Sequence, residues 1–338
     1  MAFATRIFGD IISGQFVPEK KKINFTNEYL VKVMKLWGKI FLHTLPDIPI
    51  QGSPERSLYR TVVEDSDNNK YILEQIGHSN IRRKEKIAGI IEFFKEKNLA
   101  VTPNCQLFDN THLGEIGGKY WLLTPFVQGN ALNRREYWNE GWRGKASAEF
   151  LIKMREASES LDFGEKVFSL PEYIETLVRN IRNKNIDLYQ VLKPTIEYLR
   201  REFFPHYSSI PISFAHGDPH PLNIIWGDST IISVIDWEFC GLKPVLYDVA
   251  LIIGCVGSES PKALFGNFIK EFLINVTKHL IHKENGLQYL SAFIIALRFA
   301  WLSEWLRRQD KEMQDFELQY MDFLFQNLEK LLNHYQRD

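Results

Sequence analysis

The stretch from Ile210 to Ile235 constrains this 338-residue chain more than any other, because it is the one short β-type segment in a half-chain of long helical patterns. It reads Phe214-Ala215-His216-Gly217-Asp218-Pro219-His220-Pro221-Leu222-Asn223-Ile224-Ile225-Trp226, and Ile232-Ser233-Val234-Ile235-Asp236-Trp237-Glu238 follows. The apolar pairs Ile224-Ile225, Ile231-Ile232 and Val234-Ile235 flank a short Gly227-Asp228 turn, a hairpin pattern. That hairpin would return Asp236 to the side of Asn223, so that two side-chain oxygens reach one metal. Asp and Asn oxygens suit a hard cation such as Mg²⁺.

The rest of the chain divides around this segment. Asn24 to His43 carries helical spacing (Leu30, Val33, Met34, Trp37, Ile40, Phe41), with Thr26 as an N-cap. Pro46, Pro49 and Gly52 break that pattern. Ser57 to Glu64 and Lys70 to Ile76 read as strands joined by the turn Asp65-Ser66-Asp67-Asn68-Asn69. A helix is expected over Arg82 to Lys97. Cys105 to Phe108 and Lys119 to Val127 read as a second strand pair about Gly117-Gly118. After Gly129, helical patterns run over Ala146–Ser160, Pro171–Asn183 and Leu188–Phe204, and helices resume from Asp248 to the end. The expected class is α+β with two lobes: residues 1–128 as a β-rich lobe with a leading helix, and residues 129–338 as a helical lobe.

Composition narrows the function classes. A formal net charge of -1 offers no general attraction for nucleic acid or an anionic membrane. Cys105, Cys240 and Cys255 are odd in number and lack metal-ligand spacing, which reads as free thiols in a reducing, cytoplasmic setting. Met1 to Phe16 has no continuous apolar run with a small-residue cleavage site. The most apolar helix, Leu287 to Leu306, is interrupted by Arg298 and Glu304, and reads as buried rather than spanning a bilayer. The expectation is a soluble protein.

Phosphoryl transfer needs an acceptor hydroxyl held in line, a carboxylate near its proton, and oxygen ligands for Mg²⁺ on the phosphates. Asp218 can supply the carboxylate, and Asn223 and Asp236 the oxygens. The spacing His-x-Asp, four residues, then Asn is that of the kinase catalytic loop. His216-Gly-Asp218…Asn223 and Ile235-Asp236-Trp-Glu resemble the aminoglycoside phosphotransferase and choline kinase-like family, in order over roughly Gly52 to Ala250. The resemblance implies a protein-kinase-like fold, with ATP and Mg²⁺ as cofactors. It implies a small-molecule hydroxyl acceptor such as a sugar, an amino alcohol or an aminoglycoside. Asp218 matches the family's catalytic base, and Asn223 and Asp236 match its metal ligands. Leu122-Leu123-Thr124-Pro125-Phe126-Val127-Gln128-Gly129 resembles its connector, which would turn the Pro125 carbonyl and Val127 amide toward adenine. Gly52-Ser53-Pro54-Glu55-Arg56-Ser57 resembles its phosphate-covering loop.

One position departs from the family. Tyr71-Ile72-Leu73-Glu74-Gln75-Ile76 puts Glu74 where a kinase strand carries the lysine that grips the phosphates and pairs with a helix glutamate. The matching helix glutamate is expected at Glu85, flanked by Arg82, Arg83, Lys84 and Lys86. Three explanations stand open: exchanged charges between strand and helix, nucleotide held by Arg56 or Arg60, or a shifted register. N-acetylhexosamine kinases in the family resemble Tyr-Ile-Leu-Gln at this strand, so lysine is not universal.

Other residues carry two readings. By the resemblance His216 is mostly architectural. His220 suits loop support or a phosphate contact, and Asp248 suits a helix N-cap or a buried loop anchor. Glu238 suits a structural or substrate-side carboxylate. Arg298, Trp301 and Trp305 share a helix face, either as core packing or as an acceptor site. Two rival functions remain. A metal hydrolase would use His216, Asp218 and His220 as ligands, and a non-catalytic nucleotide-binding protein on the same fold would explain Glu74.

Overall fold

The threonine hydroxyl of Thr26 accepts from the Tyr29 amide at 3.3 Å and so opens the first helix. The computed structural model describes residues 25–52, 57–161, 167–279, 287–327, 330, 331 and 333. In chain order the first elements are α1 (Asn27–Met34), β1 (Phe41–Thr44), β2 (Ser57–Asp65), β3 (Lys70–Ile76), α2 (Ile81–Glu96), β4 (Leu113–Ile116) and β5 (Lys119–Pro125). There follow α3 (Gly141–Ser158), α4 (Leu170–Lys184), α5 (Ile186–Glu202), β6 (Ile212–Ala215), β7 (Ile224–Trp226), β8 (Ile231–Val234) and β9 (Gly241–Pro244). The chain ends in α6 (Tyr247–Glu259), α7 (Asn267–His279), α8 (Leu290–Arg308) and α9 (Lys311–Gln326). Contacts gather these into two units. The described chain up to Ala131 joins with Leu222–Glu238, and Leu132–Pro221 joins with the chain from Phe239 onward.

The first unit is built on an antiparallel sheet of order β1-β2-β3-β5-β4. The β2–β3 turn is held by Asp65, whose Oδ1 accepts from the amides of Asp67 and Asn69 at 2.9 Å each. Leu30, Val33, Met34, Trp37, Phe41, Val63, Tyr71, Leu73, Trp121 and Leu123 form the core between α1 and the sheet.

Two expected elements come out differently here. The helix expected to reach His43 stops after a 3₁₀ turn at Lys35–Trp37, where Gly38 takes φ 65. Trp37 and Phe41 are both buried, so they mimic one helical face, yet Ile40 between them is 70% exposed and Phe41 begins a strand. The expected strand at Cys105–Phe108 is not one. Gly117 and Gly118 both take positive φ and close a two-residue turn that pairs Ile116 with Lys119, so the partner of β5 is the immediate flank, β4. Cys105 donates its amide to Leu123 O at 2.8 Å and accepts from Trp37 Nε1 at 3.1 Å, and Phe108 is exposed.

The β7–β8 hairpin belongs to this first unit. The Val234 amide donates to Ala100 O at 2.8 Å, and the Asn130 amide donates to Trp226 O at 2.7 Å.

Among the described residues the second unit is mostly helical and carries the antiparallel pair β6–β9. Ser169, Asn185 and Asp310 cap α4, α5 and α9 through their side-chain oxygens. Helix α8 and the short turn before it are long and apolar enough to cross a membrane, yet 89% of that span is buried within the protein. It is the central core helix, with Phe293 packed against Phe203 and Tyr247 at ring distances of 5.3 and 6.1 Å.

Candidate active site

In the first unit a cavity of about 540 Å³ opens along β2, β3, the end of β5 and the β7–β8 hairpin. Its apolar walls include Ile72, Leu122, Ile225 and Val234, and the residues from Thr124 to Ala131 run along it, Pro125 and Val127 among them. Asn104 Nδ2 donates to Thr124 Oγ1 at 2.6 Å, and the Phe126 amide donates to Lys70 O at 2.8 Å, so this connector is pinned from both sides. A cavity of this size with apolar walls and few polar groups is typical of a small-ligand site.

The polar part of that cavity is a charge cluster of Arg60, Glu74, Lys84, Asp236 and Glu238. Arg60 and Glu74 are cross-strand partners on β2 and β3, with Arg60 Nε 3.2 Å from Glu74 Oε1. Ser57 Oγ donates to the same carboxylate at 2.6 Å. Lys84 of α2 forms an ion pair with Glu238, while Arg83 Nη2 donates to the Glu238 backbone carbonyl at 2.9 Å. Burial alone would raise the Glu74 carboxyl, but Arg60, Lys84 and the Ser57 hydroxyl together hold it below its ordinary value. Burial would likewise lower Lys84, and Glu238, Glu74 and Asp236 instead keep its ammonium above the usual range. Both stay charged at neutral pH.

The hairpin lies as its sequence suggests. The Ile235 amide donates to Asn223 O at 2.9 Å, and Ile224 pairs with Val234, which places residues 223 and 236 at the same end of the ladder. Asp236 has φ 65, left-handed and unusual for a residue with a side chain. Such strain, of about 1–3 kcal/mol, tends to be retained where it aims a functional group. Gly52, at φ 83, lies against this aspartate: an added Cβ would come 3.8 Å from Asp236 Oδ2 and 3.7 Å from Arg60 Nη2. Glu74, Asp236 and Glu238 supply hard anionic oxygens to this lining, balanced by Arg60, Lys84 and Lys70. That donor set fits a divalent cation brought in on a polyphosphate.

In the second unit the loop after β6 carries His216, Gly217 and Asp218, all buried. Asp248, at the first turn of α6, anchors it: Oδ2 accepts from the His216 amide at 2.7 Å and Oδ1 from the Gly217 amide at 2.8 Å. His216 Nδ1 accepts from the Asp218 amide at 3.2 Å, so this imidazole supports the loop from within. Gly217 is required twice over, by φ 86 and because a Cβ would lie 2.3 Å from Phe239 O. Burial pushes the Asp248 carboxyl up to about 6, against the two amides and Lys243, which favour its charged form. His220 Nε2 lies 3.7 Å from Asp218 Oδ1.

Several expected site residues are relocated. Glu85 is not the helix partner of β3: its carboxylate accepts from the His112 amide at 3.0 Å and the Leu113 amide at 3.3 Å, holding the entry to β4. The helix residue facing Glu74 is its neighbour Lys84, one position (about 100° of helix) away. Charges on strand and helix are therefore exchanged. Arg298 is not an open guanidinium. It is 2% exposed and forms a bidentate pair with Glu317 at 2.6 and 2.7 Å, stacked over the Trp301 ring at 4.6 Å. Trp301 and Trp305 are buried along the same helix, in packing. Ser53 and Arg56 lie outside the described residues. Among the described residues no three His, Cys, Asp or Glu side chains gather as a metal-ligand group. The sequence names Lys84 only as one of four basic residues flanking Glu85, with exchanged charges as one of three open explanations. Its signal was the basic run Arg82-Arg83-Lys84 opposite an acidic strand position.

The phosphotransferase enzyme family model matches residues 54–279, two thirds of the chain. The chain belongs to that family, and is a small-molecule phosphotransferase whose acceptor group is a hydroxyl. Solved structures place it on the kinase-like fold. The amicoumacin kinase hAmiN, in complex with AMP-PNP, Ca²⁺ and Ami, is 15% identical with a TM-score of 0.62, over 90% of this chain and 94% of its own. Spectinomycin phosphotransferase APH(9)-Ia, in complex with ADP and spectinomycin, is 16% identical with a TM-score of 0.58, over 93% and 99%. Choline kinase LicA from Streptococcus pneumoniae is 14% identical with a TM-score of 0.58, over 90% and 98%. No curated protein sequence matches the chain.

Proposed function

We propose that this protein transfers the γ-phosphoryl group of ATP, with Mg²⁺, to a hydroxyl of a sugar, an amino alcohol or an aminoglycoside-like molecule. The observation that carries the reading is the strained Asp236 beside Asn223 on a cavity whose apolar side is the Thr124–Ala131 connector. Solved neighbours hold AMP-PNP with Ca²⁺ in one case and ADP in another, which supports a nucleotide and a divalent cation here. The small molecules in complex with them, Ami and spectinomycin, support a small molecule as acceptor.

In this reading Asp236 and Asn223 hold the metal, whose charge offsets that of the phosphates. The Pro125 carbonyl and Val127 amide face the base, and Gly52, at φ 83, lies beside Asp236. Asp218 accepts the proton of the attacking hydroxyl. Its loop is rigid because Asp248 holds the two preceding amides, so the carboxylate is pre-positioned rather than ordered at the moment of reaction. Glu74, the motive for a non-catalytic alternative, brings two cations with it in Arg60 and Lys84, so phosphate binding is not forfeited. ATP as the donor, with Cys105, Cys240 and Cys255 as free thiols, fits a cytoplasmic setting.

The test is a screen of sugars, amino alcohols, aminoglycosides and homoserine for acceptor-stimulated ADP release, repeated with Asp218→Asn. The variant should lower kcat by ~10²–10⁴-fold while leaving ATP affinity nearly unchanged. Near-normal turnover would remove Asp218 from the role of base.

A further inference from the structure

Kinases of this fold normally grip the nucleotide phosphates with a lysine on the third strand. In this chain that strand position is Glu74, and its surroundings point to where the cation has gone. Of the three basic side chains that line the cavity, Lys70 pairs with Glu64 at 3.8 Å, and Arg60 from β2 and Lys84 from α2 act on Glu74. They are committed differently. Arg60 Nε lies 3.2 Å from Glu74 Oε1 as an ion pair and Nη2 donates to Gln51 O at 3.0 Å, so its guanidinium braces the strand pair and the backbone before β2. Lys84 meets Glu238, and an ammonium has three donors, so one carboxylate does not exhaust it. It also interacts with Glu74 and Asp236 across the same cavity wall.

We propose that Lys84, delivered from helix α2, is the cation that grips the nucleotide phosphates in this protein, with Glu74 and Glu238 as the carboxylates that hold its ammonium in place. The arrangement is the usual strand-lysine and helix-glutamate pair with its charges exchanged. The exchange keeps the electrostatics intact, because a phosphate responds to the position of the cation and not to the backbone that carries it. It also gives Glu238 a task that follows from its place two residues after Asp236: the Lys84–Glu238 pair and the Arg83 bond to the Glu238 carbonyl tie α2 to the metal-holding segment. Lys84 is thus a binding residue, and Glu74 and Glu238 are positioning residues.

The inference rests on the reading that the cavity takes ATP, and equilibrium binding separates the two. Affinities for ATP with Mg²⁺ and for adenosine are measured by calorimetry on the full chain, for the native protein, Lys84→Met, Lys84→Arg and Arg60→Met. Lys84→Met should weaken ATP binding by ~10–100-fold, as expected for one lost charge-assisted contact, with adenosine affinity unchanged. Lys84→Arg should recover part of the loss, and Arg60→Met should weaken ATP less than Lys84→Met. Because Lys84→Met leaves Glu238 buried without its partner, the double variant Lys84→Met/Glu238→Gln is measured beside it and should show the same phosphate-specific loss. Native ATP affinity in that double variant, or a loss confined to Arg60→Met, would overturn the assignment of Lys84. Failure of the native protein to bind ATP at all would instead sink the ATP reading, and the inference with it.

Discussion

Asp248 is the residue on which the rigidity of the Asp218 loop depends, since one carboxylate satisfies two successive buried amides at 2.7 and 2.8 Å. Its carboxyl, buried and pushed up to about 6, sets a pH dependence with a definite sign. The folded value lies above the ordinary 3.8, so the native state binds more protons between those values. Stability from this group is fully present below about 4 and is lost as pH rises through about 6. Asp248→Asn cannot titrate. The native protein should therefore gain stability over that variant by roughly 2–3 kcal/mol as pH falls from 6 to 4, read by denaturant unfolding at each pH. A difference that stays flat over that window would show that the carboxyl is not perturbed. At neutral pH the asparagine variant should also lose turnover, because its amide nitrogen faces a backbone donor it cannot accept from.

Among the elements, α6, α8 and α9 meet at a buried ion pair. Arg298 of α8 is held by Glu317 of α9, which is fully buried, and Arg298 Nη1 and Tyr320 Oη reach Gly254 O of α6 at 3.5 and 3.0 Å. Removing one partner strands a charge in the core. Glu317→Ala should cost about 3–5 kcal/mol, whereas Arg298→Met/Glu317→Leu together should cost far less. Urea unfolding of the three proteins distinguishes this from a binding role for Arg298. In a binding role the double variant would keep its fold but lose affinity for the acceptor, and here acceptor affinity should be retained. Arg298 shows why composition misleads at this scale: an arginine on a Trp-lined helix face reads equally as a ligand group or as half of a core pair. Only the helix that crosses it decides, and Glu317 lies 19 residues away along the chain.

At the scale of the whole molecule, a nucleotide bound only by the native state must raise its melting temperature. ATP with Mg²⁺ at about 100 times its dissociation constant adds ~2.7 kcal/mol, roughly 4 °C for a chain of this size. Asp236→Ala should lose most of that shift and its dependence on Mg²⁺, and Asn223→Ala should lose less, since a neutral amide oxygen is the weaker ligand. An equal Mg²⁺-dependent shift in both variants, measured by thermal unfolding, would refute the pair as metal ligands.

Much of this was legible in the chain itself. The β7–β8 hairpin, the β2–β3 turn and the cap at Thr26 follow from neighbours within a few residues, where turn chemistry and strand alternation leave little freedom. The Asn223…Asp236 part of the family motif lies within one such local segment, and so its spacing survives in the fold. What the sequence could not determine was which residues meet across elements. The end of α1 at Gly38 and the β4–β5 hairpin are local turns that the apolar spacing masked, whereas the pairing of β9 with β6 was decided by tertiary contacts over a long separation. The cation opposite Glu74 was settled in the same way. Helix α2 could present Lys84 or Glu85 to the strand, and a rotation of one residue decides the sign of the charge delivered there. The packing of α2, with Ile87, Ile91 and Phe94 buried, sets that rotation and turns Lys84 inward.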